Sequence, residues 1–121
     1  MKFAKYTFYA AGVYGLIALV PQYFLEARQG LDYPPAITHP AYYYGFIGVA
    51  VAWQIAFLVI GSDPPRFRPL MPAAMIEKFS FVIAAAALVA ADRIAPPLVA
   101  GAAIDCVLGV LFAIAFFKTE R

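Results

Sequence analysis

The segment PLVAGAAIDCVLGVLFAIAFF, residues 97–117, carries a single charged side chain, that of Asp105, in an otherwise apolar run. An α-helix needs about 20 consecutive apolar residues to cross the hydrocarbon core of a bilayer, and this segment has that length. A spanning helix satisfies its own backbone hydrogen bonds, and the segment lacks the alternation of a barrel strand. It therefore predicts a transmembrane helix.

Three further segments of similar length and composition precede it. They cover about residues 6–25, 41–61 and 70–91. The connections between the four segments are rich in proline and glycine, which end helices. We therefore expect an all-α membrane protein, folded as a single domain over residues 1–121 and built as a four-transmembrane-helix bundle.

The composition excludes several other classes of protein. Hydrophobic residues make up 64% of the chain and charged residues 13%, whereas a soluble domain carries about 25% charged residues. One cysteine excludes an internal disulfide, and one cysteine with one histidine cannot form the common zinc, haem or iron–sulfur sites. The sequence thus predicts no metal and no cofactor. The modest net charge of +2 predicts no nucleic-acid partner.

Lysine and arginine residues predict the orientation of the bundle. Basic residues are retained on the cytoplasmic side of a membrane. They are concentrated at both ends of the chain and in the second connection, while the first and third connections carry one each. Both termini are therefore predicted to be cytoplasmic. The basic residues that carry this prediction are Lys2, Lys5, Arg66, Arg68, Lys118 and Arg121.

Three charged residues fall inside the predicted spans, where charges are costly. The third helix has to begin near Leu70 to be long enough, which places Glu77 and Lys78 about two turns inside the membrane. Asp105 lies near the middle of the fourth helix. The levels predicted for Glu77 and Asp105 differ by roughly 8–10 Å along the membrane normal.

Small residues recur at helical spacing and predict the packed face of each helix, because they let neighbouring helices approach closely. On the third helix this places Glu77 inside the bundle, Lys78 beside it and Phe79 towards lipid. The predicted stripes are Ala11, Gly15, Ala18 and Gln22; Gly45, Gly48, Ala52 and Ala56; Glu77, Ser80, Ala84, Ala87 and Ala91; and Gly101, Asp105, Gly109 and Ala113.

Polar and aromatic residues near these faces form the predicted ligand-binding set. An ionised aspartate facing lipid at the bilayer centre costs roughly 2.5–3.5 kcal/mol, so Asp105 is expected to face the interior. Gln54 falls at the depth of Glu77 and Lys78, and Tyr14 at the middle of the first helix. The set comprises Asp105, Glu77, Lys78, Gln54, Tyr14, Trp53 and Gln22.

The second and fourth helices carry short motifs that point to a known family. Residues 42–48 read YYYGFIG, and Ala103-Ile104-Asp105 precedes Gly109. With the four-helix layout, these motifs resemble the DoxX-like group of small bacterial membrane proteins. The resemblance implies the four-helix fold and a location in the bacterial inner membrane. No cofactor-binding motif accompanies it, so it implies no activity.

Three functions are compatible with these features. The sequence favours a bundle without enzymatic activity that binds a partner subunit, within a larger membrane complex, or an apolar small molecule. The second is a homodimeric transporter or channel that uses Asp105 or Glu77. In size the chain resembles the small multidrug resistance transporters, but its first helix has Tyr14 at mid-depth and lacks their membrane-embedded glutamate. The third is an enzyme acting on a lipid or quinone, with Glu77 and Asp105 as acid–base catalysts.

Overall fold

A computed structural model describes residues 2–119, and all regular secondary structure within this range is helical. Arg121, one of the basic residues on which the predicted orientation depends, lies outside the described residues. Four long helices are present, together with a short helix in the first connection that was not predicted. The helices are α1 (Lys2–Leu19), α2 (Glu26–Asp32), α3 (Pro40–Ser62), α4 (Met71–Ala90) and α5 (Pro96–Lys118).

Each long helix is long and apolar enough to cross a membrane. Each covers 23 residues when an adjoining 3₁₀ turn is included, and an 18-residue stretch within each has a mean hydropathy between 1.3 and 2.4. The four predicted helical segments are thereby confirmed in number and approximate position. The largest difference is at the N-terminus, where α1 begins at Lys2 rather than near residue 6. Long basic side chains accommodate this extension because they reach water from a helix end.

Prolines set the ends of the helices. Pro40, Pro72 and Pro96 lie in the first turns of α3, α4 and α5, where a missing backbone N–H costs nothing. Pro21 has the opposite effect, because α1 ends at Leu19 and the chain continues as a 3₁₀ turn. The first long helix is therefore distorted at Pro21.

The long helices pack as two pairs. α1 lies along α3 and α4 lies along α5, and contacts between α1 and α5 join the pairs along one side. On the other side, α3 and α4 touch at few positions. The bundle is consequently closed between α1 and α5 and open between α3 and α4.

The densest packing lies at one end of the bundle, which we call the basic end because Lys5, Arg68 and Lys118 surround it. There the fully buried rings of Phe8 and Phe112 stack at 4.3 Å between centroids, and the ring of Phe57 meets that of Phe112 edge-on at 4.9 Å. The buried apolar residues at this end are Ala4, Phe8, Ala11, Phe57, Ile60, Met71, Ala74, Phe112 and Ala115.

The predicted packed faces of α1 and α5 agree with the structure in part. Ala11 and Gly15 are buried in α1, and Gly109 is buried in α5. Ala18, also predicted on this face of α1, is exposed. A Cβ added at Gly12 would approach the Cδ2 atom of Leu58 to 2.7 Å. The glycines of α1 therefore let the larger side chains of α3 pack closely against it.

The predicted faces of α3 and α4 are wrong. The buried residues of α3 include Ile47, Ala50, Gln54 and Phe57, whereas Gly45 and the other predicted small residues are exposed or half-buried. The small residues of α1 already provide room for close approach, so α3 presents large side chains to it. Packing of large side chains into glycine gaps fills space better than two facing rows of small residues.

On α4 the buried face is rotated about the helix axis by roughly 100° from the predicted face, which corresponds to one residue. Lys78 lies on the buried face, together with Ala74 and Ala85, while most of the predicted stripe is exposed. Phe79, predicted to face lipid, packs on α5, where a Cβ added at Gly109 would approach its ring to 2.7 Å. The rotation allows Lys78 to reach an acidic side chain of α5.

Substitution of Gly109 by leucine should destabilise the bundle by at least about 2 kcal/mol, because the added side chain overlaps the ring of Phe79 and overpacking forces backbone shifts. The matched control is Ile83→Leu on α4, where the native side chain is 70% exposed, and its expected effect is within about 0.5 kcal/mol. Unfolding in mixed micelles, followed by circular dichroism, measures both. Equal effects would contradict the assigned α4–α5 interface.

Candidate functional site

A cavity of about 1000 Å³ lies between the two helix pairs, beyond the packed basic end. Side chains of α1, α3, α4 and α5 line it, including residues of α3 and α4 on either side of the gap between these two helices. The cavity brings together every residue of the predicted ligand-binding set: Tyr14, Gln22, Trp53, Gln54, Glu77, Lys78 and Asp105. Their shared location is established by the structure, and their role in binding stays a prediction.

Three charged side chains meet in the wall of this cavity, and we call them the ionic triad: Glu77, Lys78 and Asp105. Lys78 Nζ lies 3.4 Å from Glu77 Oε1 and 3.5 Å from Asp105 Oδ1. The lysine side chain is 5% exposed, and each carboxylate side chain is 22% exposed. The triad therefore joins α4 to α5 and presents its carboxylates, more than its ammonium, to the cavity.

Two predictions about these residues are wrong. Lys78, expected beside the packed face, is the most buried of the three, whereas Glu77, expected on that face, is less buried than Lys78 and lines the cavity. The carboxylates of Glu77 and Asp105 were also expected on well-separated levels, yet both contact the same nitrogen atom. The long lysine side chain explains both differences, because it bridges residues whose backbones lie on different helices.

The ionic triad rests on the aromatic core of the basic end. Lys78 Nζ lies 5.1 Å from the centroid of the Phe57 ring, a distance at which the face of the ring attracts a cation. Glu77 Oε1 is buried and, among the described residues, has no hydrogen-bond partner. Its contact with Lys78 is thus an ion pair without hydrogen-bond geometry, and this oxygen can still accept a hydrogen bond.

Gln54 is buried between α3 and α1 at the same cavity. Its Nε2 donates a hydrogen bond to the carbonyl oxygen of Ala50 at 2.9 Å, while Oε1 has no hydrogen-bond partner among residues 2–119. The amide lies against Gly15, where any added Cβ would overlap it. The absence of a side chain at Gly15 therefore lets a polar group pack inside the bundle.

The remaining lining is largely apolar. Phe46 and Phe81 contribute aromatic surface, while Gly45 and Gly101 contribute empty space, because a Cβ added at either glycine meets no atom within 4 Å. Sequence reasoning missed Phe46 and Phe81 as lining residues. An apolar side chain that faces a cavity has the same chemistry as one that faces lipid, so the sequence contains no signal that separates them.

Tyrosines close the end of the bundle opposite the basic end. The hydroxyl of Tyr43 donates a hydrogen bond to the carbonyl oxygen of Gln22 at 2.6 Å, and that of Tyr44 donates to Glu26 Oε1 at 2.9 Å. Because Gln22 precedes α2 and Glu26 begins it, these bonds fasten the first connection to α3. The side chain of Gln22 itself donates to the carbonyl oxygen of Ala18 and lines the cavity.

Comparison of the chain with protein-family models, curated proteins and solved structures gives no match. The resemblance to the DoxX-like group therefore stays a prediction. The function has to be inferred from the cavity, its apolar lining and the ionic triad in its wall.

Proposed function

We propose that this protein binds an apolar or amphiphilic small molecule within a membrane, in the cavity between its two helix pairs. The observation that carries the proposal is the combination of a volume of about 1000 Å³ with a mostly apolar lining and a few convergent polar groups. Small-molecule sites have this character, with volumes of about 300–1000 Å³. A ligand would place its apolar body among the aromatic residues and its polar end beside the ionic triad.

The proposed location is the bacterial inner membrane, with both termini in the cytoplasm. In support of this orientation, basic residues from three parts of the chain meet at one end of the bundle. Lys118 Nζ lies 4.9 Å from the ring centroid of Phe3, and Arg68 Nε donates to the carbonyl oxygen of Phe116 at 3.0 Å. Basic residues favour the cytoplasmic side, so the cavity would lie towards the outer half of the membrane.

The gap between α3 and α4 provides the route of entry. These helices touch at few positions, and Phe46 of α3 and Ile76 of α4 both line the cavity and are largely exposed. In a bilayer this gap would face lipid, so an apolar molecule would reach the cavity without passing through water.

Binding without catalysis suits the ionic triad better than acid–base chemistry does. Glu77 and Asp105 both contact the ammonium group of Lys78, so each carboxylate is already engaged in an ion pair. The triad also links α4 to α5, so it has a role in holding the cavity wall in place.

A leucine at position 101 should block the cavity. Gly101 lines it and has open space where a side chain would point, so leucine can occupy the ligand volume without a clash. Trp53 is the only tryptophan and lines the same cavity. Saturable quenching of its fluorescence by a neutral probe, 12-bromododecanol, is expected in the unmodified protein, with affinity about tenfold lower in Gly101→Leu, equivalent to about 1.4 kcal/mol.

The matched control is Ala100→Leu, on an exposed position of α5 outside the cavity. It adds nearly the same apolar bulk to the neighbouring residue and should leave quenching unchanged. Thermal unfolding of both variants establishes that they are folded. If Gly101→Leu is folded and binds the bromoalkanol as the unmodified protein does, the proposed function is wrong.

A further inference from the structure

The ionic triad has an unequal number of charges. It contains one ammonium group and two carboxylates, and Lys78 Nζ contacts both. With all three groups ionised, the triad carries one uncompensated negative charge. No further basic side chain lines the cavity within the described residues. A low-dielectric surrounding strengthens the interaction of that charge with any bound ion.

The buried side-chain atoms without a hydrogen-bond partner also favour a positively charged or donating ligand. Within residues 2–119, the buried side-chain atoms without a hydrogen-bond partner are Gln54 Oε1 and Glu77 Oε1. Both are oxygens, and both belong to residues that line the cavity. Buried acceptors are stabilised by a donor or a positive charge; Glu77 Oε1 has Lys78 Nζ at 3.4 Å, whereas Gln54 Oε1 has no hydrogen-bond donor among residues 2–119. An anionic ligand would add a further acceptor and a like charge.

Aromatic side chains are a third feature of the cavity that favours a positively charged ligand. Tyr14, Phe46, Trp53 and Phe81 line the cavity. The faces of aromatic rings carry partial negative charge and attract cations, most strongly where water is excluded. Their apolar surface also suits the body of a hydrophobic molecule.

We propose that the cavity binds lipophilic organic cations, with the positive group near the carboxylates of Glu77 and Asp105 and the hydrophobic body among the aromatic side chains. This inference rests on the proposed function and adds the charge of the ligand to it. The bound cation compensates the second carboxylate of the ionic triad, while Lys78 compensates the first.

Two ions of nearly the same size and shape test the sign of the charge. Tetraphenylphosphonium is a cation and tetraphenylborate an anion, so a difference between them reports charge rather than fit. Calorimetric titration in a mild non-ionic detergent measures the affinity for each ion. Binding that is present in the unmodified protein and absent in Gly101→Leu is assigned to the cavity. Tetraphenylphosphonium is expected to bind at least about tenfold more tightly than tetraphenylborate.

Variants of Glu77 provide a second readout. Glu77→Gln leaves Lys78 paired with Asp105 and removes the uncompensated charge, so the affinity for tetraphenylphosphonium should fall about tenfold. Glu77→Asp keeps the charge and should retain most of the affinity. The comparison of the two ions in the unmodified protein involves no change in the ionic triad. It therefore decides whether the cavity prefers a cation even if Glu77→Gln does not fold.

The outcomes separate the two proposals. Equal affinity for the two ions, or a preference for tetraphenylborate, overturns the inference about the charge of the ligand. In that case, binding of the bromoalkanol that depends on Gly101 still upholds the proposed function. If none of the three probes binds in a way that depends on Gly101, both proposals fail.

Discussion

Replacement of Lys78 by methionine should lower the free energy of unfolding by about 3–5 kcal/mol, the usual cost of removing one partner from a buried ion pair. Methionine keeps about the length of the four-carbon stem of lysine and removes only the ammonium group. It leaves the carboxylates of Glu77 and Asp105 facing each other without the ammonium group that both contact. Two neighbouring like charges away from water destabilise the fold. Reversible unfolding in mixed micelles, followed by circular dichroism, measures the loss.

Neutralisation of the carboxylates should restore most of this stability. In the triple variant Lys78→Met, Glu77→Gln, Asp105→Asn, no buried charge of the ionic triad remains, and neutral replacements of buried ion pairs often fold as well as the originals. Lys118→Met is the matched control, because Lys118 is exposed, and it should change stability by less than about 0.5 kcal/mol. A stable Lys78→Met protein, or a triple variant no better than the single one, would show that the three charges do not act together.

Truncation of Phe57 to alanine should cost about 3 kcal/mol. This is the lower end of the range for buried phenylalanines in soluble proteins, because lipid is as apolar as the interior and much of the loss is in packing. The ring of Phe57 lies 4.9 Å from that of Phe112 and 6.1 Å from that of Phe8. It also lies beneath Lys78 Nζ. The variant should therefore loosen the basic end and the ionic triad together.

The control for Phe57→Ala is Phe117→Ala, because Phe117 lies near the same end of the bundle and is 79% exposed. It removes the same atoms and should change the unfolding free energy by less than about 1 kcal/mol. The same unfolding measurement applies to both variants. Similar losses from the two would indicate that Phe57 does not hold the packed core, and would move the centre of packing elsewhere.

Much of the candidate site could be predicted from the sequence, for a physical reason. A charged residue in a long apolar segment is costly unless it finds a partner, so Asp105 was correctly expected to face the interior, and the structure places its carboxylate beside Lys78. Gln54 and Tyr14 were selected in the same way, by polarity at depth, and both line the cavity. The partner of each charge was less predictable, because it depends on how far a flexible side chain reaches.

The cavity itself could not be predicted. It exists because α3 and α4 touch at few positions, while α1 and α5 hold the two helix pairs together. Phe46 and Phe81 line it but differ in no chemical respect from side chains that face lipid. Whether an apolar residue meets lipid, another helix or an empty volume depends on the relative positions of four helices.

The sequence by itself determined the number of long apolar helices, their approximate ends and the residues whose charge has to be compensated. These depend on the cost of transferring each segment into hydrocarbon, which is a property of composition along the chain. The tertiary structure alone decided which faces of α3 and α4 are buried, and hence that Lys78 is enclosed between Glu77 and Asp105. The apolar surface of α3 is nearly uniform around its axis. In a membrane, lipid would give no hydrophobic preference for one face over another, so the shapes and charges of neighbouring helices would decide which face is buried.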